Sequence, residues 1–165
     1  AFFLAANSLG SDVLVENLNF ESSQGDMACH KLLAELEKAT TVACGDIPDL
    51  VPILAIYFAS RKGVTFTNVR RLRTKESDRI ASVCSMLQAL GIDTVTTENT
   101  LTVGFGKFRS CTVDAANDHR IAMTAAVMSL LTDSAITIEQ AESVNKSYPS
   151  FYHDYRRLGG QEEES

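Results

Sequence analysis

The polarity pattern of the 165 residues switches between a period near two and a period near 3.6. "AFFLAANSLG" is apolar and ends at Gly10, and it reads as the second half of a helix with its stop and no start signal ahead of it. "DVLVENL" alternates Val13 and Val15 with polar neighbours and predicts a strand, followed by a Ser-Ser-Gln-Gly-Asp turn. A helix is expected from about Asp26, its stripe carried by Met27, Leu32 or Leu33, and Leu36. "TTVAC" predicts a short strand. "GDIPDLVPILAIYFASRKG" then predicts a turn and an almost wholly apolar helix over Asp49–Ser60, with Pro52 in the first turn, where its missing N–H is tolerated, and Gly63 as the stop.

The second half repeats this order. "VTFTNV" predicts a strand, and a helix over Ser77–Leu90 carries Ile80, Val83, Leu87 and Leu90 at helical spacing. "IDTVTTENTLTVGF" predicts a hairpin turning at Glu98–Asn99. "SCTVDAA" adds a strand, Asp118 opens an apolar helix through Leu131, "SAITIEQ" is another strand, and a last helix covers Tyr148–Leu158. No linker rich in Pro, Gly or Ser divides the chain. The expectation is one α/β or α+β unit with internal βα repeats, two complete and one partial. "GGQEEES" closes the chain as an acidic, disordered tail over 161–165.

Composition narrows the class. With 45% hydrophobic and 22% charged residues the chain is an ordinary globular domain. A net charge of -6 argues against nucleic acid or a membrane surface as partner, since both ask for a broad basic face. No apolar run is long enough for a membrane-spanning helix. Cys29, Cys44, Cys84 and Cys111 show no metal-site spacing and suit reduced thiols in a cytoplasmic setting, so no metal is expected.

Against that acidic background, Arg70, Arg71, Arg73, Lys75 and Arg79 crowd one junction, with Lys62 just upstream. Cations also open helices at three places: Lys75 and Arg79 around Ser77, His119 and Arg120 after Asn117–Asp118, and Lys146 before the last helix. The helix dipole disfavours a cation there by about 0.3–1 kcal/mol, and a docked anion reverses that sign. The plain alternative for Arg79 is an ion pair with Asp78 or Glu76 on a solvated face. The recurrence favours a cleft for phosphate or carboxylate groups. Carboxylates beside such cations, Glu76 and Asp49, can be tuned for proton transfer, although Glu76 also suits a salt bridge and Asp49 a helix cap.

"LRTKESDRI", then "NDHRIAM" about forty residues on, with "SSQGD" and "DIPD" before and "NKSYPSFY" after, resembles the C-terminal lobe of the 5-enolpyruvylshikimate-3-phosphate synthase family. The resemblance runs over nearly the whole chain, and KESDR with NDHRxAM is its specific part. It implies a fold of repeated βαβαββ units, with buried helices inside and sheets outside. It implies transfer of the carboxyvinyl group of phosphoenolpyruvate to the 5-hydroxyl of shikimate 3-phosphate, with release of phosphate and no metal or organic cofactor.

Carried over residue by residue, Arg79, Arg120 and Lys146 would hold phosphoenolpyruvate and Lys75 would contact shikimate 3-phosphate. Asp49 would accept the hydroxyl proton, and Glu76 would move a proton to and from the methylene carbon. His119 would support that site by hydrogen bonding. The resemblance also implies a complementary N-terminal lobe, so residues 1–160 are expected to form one lobe, incomplete at its start and without turnover alone. Ala1 and Phe2 stand near where many members place Ser and Tyr. Two readings compete: a transferase lobe acting on a UDP-amino sugar, and a noncatalytic anion-binding module.

Overall fold

The computed structural model describes residues 1–16, 33 and 38–163. Among the described residues six short strands and five helices have defined bounds: α1 (Phe2–Ser8), β1 (Thr41–Ala43), α2 (Val51–Ala59), β2 (Val64–Thr67), α3 (Arg79–Ala89), β3 (Thr94–Thr96), β4 (Thr100–Val103), β5 (Thr112–Asp114), α4 (His119–Met128), β6 (Thr137–Glu139) and α5 (Phe151–Arg157). Short 3-10 segments at Pro48–Leu50, Arg70–Thr74, Ser129–Leu131 and Ala141–Lys146 lie between them.

The larger sheet has the order β1-β2-β4-β3, with β1 and β2 parallel and the other pairs antiparallel. Its register sorts polarity by face. Phe66 lies opposite both Val42 and Leu101, and all three are buried. On the other face Thr65 stands between Thr41 and Thr102, with the Thr65 and Thr102 hydroxyls 3.1 Å apart. One face therefore covers the helices and the other meets water. The smaller sheet is the parallel pair β5–β6, which buries Val113 opposite Ile138.

β1-α2-β2-α3-β3-β4 is one complete βαβαββ unit, and β5-α4-β6-α5 repeats its first four elements. The expectation of two complete repeats is thus corrected to one among the described residues. The helices sit inside, as expected. Every residue of α2 is buried, and so is every residue of α4 except Arg120, which is half-buried. A helix apolar all round belongs in a core, and α1 packs against both of these helices.

Several boundaries moved for local reasons. Residues 11–16 form no strand, because the Asn7 side chain takes up the Val13 backbone, donating from Nδ2 to the carbonyl at 2.7 Å and accepting from its N–H at 2.8 Å. The helix expected from Asp26 and the turn ahead of it lie outside the described residues. α3 starts two residues later than expected because Asp78 caps it, accepting from the Ala81 N–H at 3.1 Å. α5 starts at Phe151 rather than Tyr148, since Pro149 disfavours helical backbone in the residue before it. Gly63 ends α2 in the left-handed region at φ 74°, where an added Cβ would lie 2.6 Å from the Val103 carbonyl oxygen.

Candidate functional site

Each of the three inner helices brings charged chemistry to its first turn. Ahead of α2, the Pro48–Leu50 turn carries Asp49. Arg79 is the first residue of α3, and His119 and Arg120 are the first two of α4. Because the starts of these helices converge, residues scattered along the chain meet over a few ångströms.

Asp49 sits at the centre. Its Oδ1 accepts from Arg79 Nη1 at 2.6 Å and lies 3.3 Å from Lys75 Nζ, while its Oδ2 lies 3.5 Å from Arg120 Nη2. Arg120 Nη1 also donates to the Asp49 carbonyl at 3.3 Å. Partial burial raises the Asp49 pKa, but Arg120, the Arg79 hydrogen bond and Lys75 outweigh it and hold the carboxyl below its ordinary value.

Arg79 is only 1% exposed, and its Nε donates to Asp118 Oδ2 at 2.8 Å. Burial lowers the guanidinium pKa, and Asp118 and Asp49 more than compensate, leaving it raised. Asp118, fully buried, uses its other oxygen to cap α4, accepting from the Arg120 N–H at 2.9 Å, and its Oδ2 also accepts from Ser77 Oγ at 3.3 Å. The solvated ion pair of Arg79 with Asp78 or Glu76 is therefore not formed. Asp78 caps α3 and meets Arg73 at 3.5 Å, and Glu76 turns toward His119.

The Glu76 Oε2 to His119 Nδ1 distance is 2.8 Å, an ion-pair separation that lies off the N–H direction and so falls short of an aligned hydrogen bond. Glu76, Asp118 and His119 present ligand atoms within 4.8 Å of one another. That donor set suits a metal ion poorly, since Asp118 already accepts from Arg79, Ser77 and the Arg120 backbone.

Lys146 departs from the expected position. It ends the Ala141–Lys146 turn, while Ser150 is the residue that precedes α5. Its Nζ donates instead to the Asn117 carbonyl at 2.5 Å, at the start of α4. The turn before α4 holds Ala116 and Asn117 at φ 50° and 55°, a backbone that ordinary residues rarely adopt. Asp114 stabilises it by accepting from the Ala116 N–H at 2.7 Å. Beside Arg120 and His119 opens a cavity of about 250 Å³, lined also by Phe3 and Tyr148.

The structure thus brings Asp49, Lys75, Arg79 and Arg120 into one cluster, with Glu76 and His119 paired alongside and Lys146 on the adjoining turn. Arg70 and Arg71 stay apart, on Glu98 and the Gly45 carbonyl. Sequence reasoning missed the part played by Asp118. An Asp before a helix is the commonest of caps, so nothing in the sequence marks it as the buried partner of an arginine 39 positions away. Of the cysteines, Cys44 is buried, which pushes its thiol up to about 12, and burial also raises those of Cys84 and Cys111. Among the described residues no helix is long and apolar enough to cross a membrane.

Comparison with known proteins finds relatives along nearly the whole chain. Residues 1–155 match the sequence model of the family EPSP synthase (3-phosphoshikimate 1-carboxyvinyltransferase). The 3-phosphoshikimate 1-carboxyvinyltransferase of Thermococcus kodakarensis is 37% identical over 175 residues, covering 96% of this chain and 44% of that protein. The enzyme of that name from Clostridium novyi is 35% identical over 179 residues, covering 97% and 41%. The solved EPSP synthase of Acinetobacter baumannii overlays with a TM-score of 0.61 at 28% identity, covering 84% of this chain and 29% of that one. The chain spans less than half the length of the curated relatives it matches. By its sequence over nearly its whole length and by its fold, the chain belongs to the EPSP synthase family.

Proposed function

We propose that this chain supplies one lobe, residues 1–160, of a cytoplasmic carboxyvinyltransferase that works together with a complementary N-terminal lobe. The reaction moves the carboxyvinyl group of phosphoenolpyruvate to the 5-hydroxyl of shikimate 3-phosphate and releases phosphate. One observation carries this reading: Lys75, Arg79 and Arg120, from the two specific motifs, surround Asp49 where three helix starts converge. Fixed cations and helix dipoles hold two polyanionic substrates that repel each other in water, so positioning and electrostatics supply most of the effect.

In this reading Arg79, Arg120 and Lys146 hold phosphoenolpyruvate and Lys75 holds shikimate 3-phosphate. Glu76 delivers a proton to the methylene carbon, which makes the neighbouring carbon electrophilic, and the 5-hydroxyl of shikimate 3-phosphate adds there as Asp49 accepts its proton. Glu76 then takes a proton back from the new methyl group as phosphate leaves the tetrahedral intermediate with the proton that Asp49 had accepted. Its proximity to His119 suits a carboxyl whose proton must move both ways.

The test is calorimetry with phosphoenolpyruvate and shikimate 3-phosphate, on this chain alone and with a complementary N-terminal lobe from a relative. Weak binding alone, tight binding with the lobe, and phosphate release only with both are expected. If neither ligand binds even with the lobe present, and Arg120→Ala changes nothing, the assignment fails. Steady phosphate release from the isolated chain would instead overturn the need for a second lobe.

A further inference from the structure

Arg79 poses a problem for any ligand it is meant to hold. It is 1% exposed, its Nε is committed to buried Asp118, and its Nη1 is committed to Asp49. Among Asp49, Lys75, Arg79 and Arg120, Asp49 is the most open to solvent, at 37% of its side chain. An anion arriving from solvent therefore meets the Asp49 carboxylate before it reaches the guanidinium behind it.

We infer that Asp49 is the site's own anion: its carboxylate fills the place of a phosphate or carboxylate of the ligand, and an anionic ligand engages Arg79 by displacing it. This rests on the reading of the cluster as an anion-binding cleft. Like charges cannot share one set of cations at contact distance, so either the ligand or Asp49 holds them. Arg79 cannot swing out to meet the ligand, because leaving Asp118 would strand a buried carboxylate. Asp49 can move, since it stands on a single 3-10 turn and more than a third of its side chain is open to solvent.

The exchange couples binding to chemistry. While its own cations hold it, Asp49 is a poor proton acceptor. Once an anion has taken those cations, the carboxylate is released next to the bound ligand and can serve as base. Asp49 thus sets both the anion affinity of the cleft and the order of events in it.

Calorimetric titration of this chain with inorganic phosphate at low ionic strength and neutral pH tests the inference. Asp49→Asn should bind phosphate about tenfold more tightly than the unsubstituted chain, which corresponds to removing one carboxylate competitor from contact distance. Asp46→Asn removes the same charge from an exposed position nearby and should change affinity less than about twofold. An equal gain in both variants, or none in Asp49→Asn, overturns the exchange.

A measurement on the unsubstituted chain covers a failure of Asp49→Asn to fold. In nitrogen-resolved NMR of the Arg79 guanidinium, phosphate should shift the Nη signals and leave the Nε facing Asp118 in place, whereas unmoved Nη signals at saturation overturn the exchange. If phosphate binds and Arg120→Ala weakens it, yet Asp49→Asn brings no gain, the exchange alone falls. If no phosphate binds to any of these proteins, the anion cleft falls with it.

Discussion

Arg79 Nε donates to Asp118 Oδ2 at 2.8 Å, and the two residues are 1% and 0% exposed. The bond joins the two motifs that carry the family resemblance, KESDR at the start of α3 and NDHR at the start of α4. Because the same carboxylate caps α4 and accepts from Ser77, one buried group fixes the relative placement of both cation-bearing helix starts.

Removing that carboxylate leaves a buried guanidinium short of its main partner and α4 without its cap. Asp118→Ala should therefore destabilise the chain by about 3–5 kcal/mol, the usual cost of breaking one side of a buried pair. Asp118→Asn keeps the shape and an acceptor for the cap, and it should cost clearly less. Denaturant midpoints of the two variants at unchanged slope check both the size and the order.

Arg120 differs from Arg79 in being partly open, with 17% of its side chain exposed, and in facing the cavity beside Phe3 and Tyr148. Arg120→Ala should leave the unfolding free energy within about 1 kcal/mol of the parent. On the proposed reading, in which Arg120 holds phosphoenolpyruvate, it should weaken that ligand about tenfold or more through loss of a charged hydrogen-bonding partner. Calorimetry and thermal unfolding on one sample separate the two effects.

Asp49 makes stability depend on acid. Its folded-state pKa lies below the ordinary value of 3.8, so its contribution is complete above that value and is lost as the pH falls through the lower folded one. Asp49→Asn should flatten the acid limb of the stability curve below about pH 4, and it should leave the slope above about pH 6 unchanged. Unfolding free energies measured across that range for parent and variant decide it.

How much of this was legible in the sequence depends on distance along the chain. Local signals carried α2, whose nine residues are apolar enough to declare a buried helix, and the β3–β4 hairpin, whose turn falls at Glu98–Asn99 as its alternation indicates. Asp78 caps α3 by a contact that acts over three residues, so the expected start at Ser77 differs from the observed one by only two. Lys146 meets the Asn117 carbonyl, 29 residues away, rather than the start of the helix that follows it, a contact that no local pattern shows. The same holds for the Arg79 pairs with Asp49 and Asp118, which exist only once three helix starts have packed together. Composition put the right charges in the chain, and topology decided which of them meet.

Gly63 tests the junction between α2 and β2. Its φ of 74° disfavours any residue with a Cβ, and that Cβ would lie 2.6 Å from the Val103 carbonyl oxygen and 3.2 Å from the Gly104 carbonyl carbon. Backbone atoms cannot rotate aside as a side chain can, so the strain must move β2 against β4, which pairs Val64 with Val103 at that point. Gly63→Ala should cost about 2–3 kcal/mol, from roughly 1–2 for the left-handed backbone plus the displaced strand pair. Because this junction lies away from the cation cluster, phosphate affinity in the folded fraction should stay within about twofold of the parent, which corresponds to less than about 0.5 kcal/mol. A loss of affinity larger than that would mean that the α2 end and the helix starts are mechanically coupled, and that the anion cleft is less rigid than its buried Arg79–Asp118 bond implies.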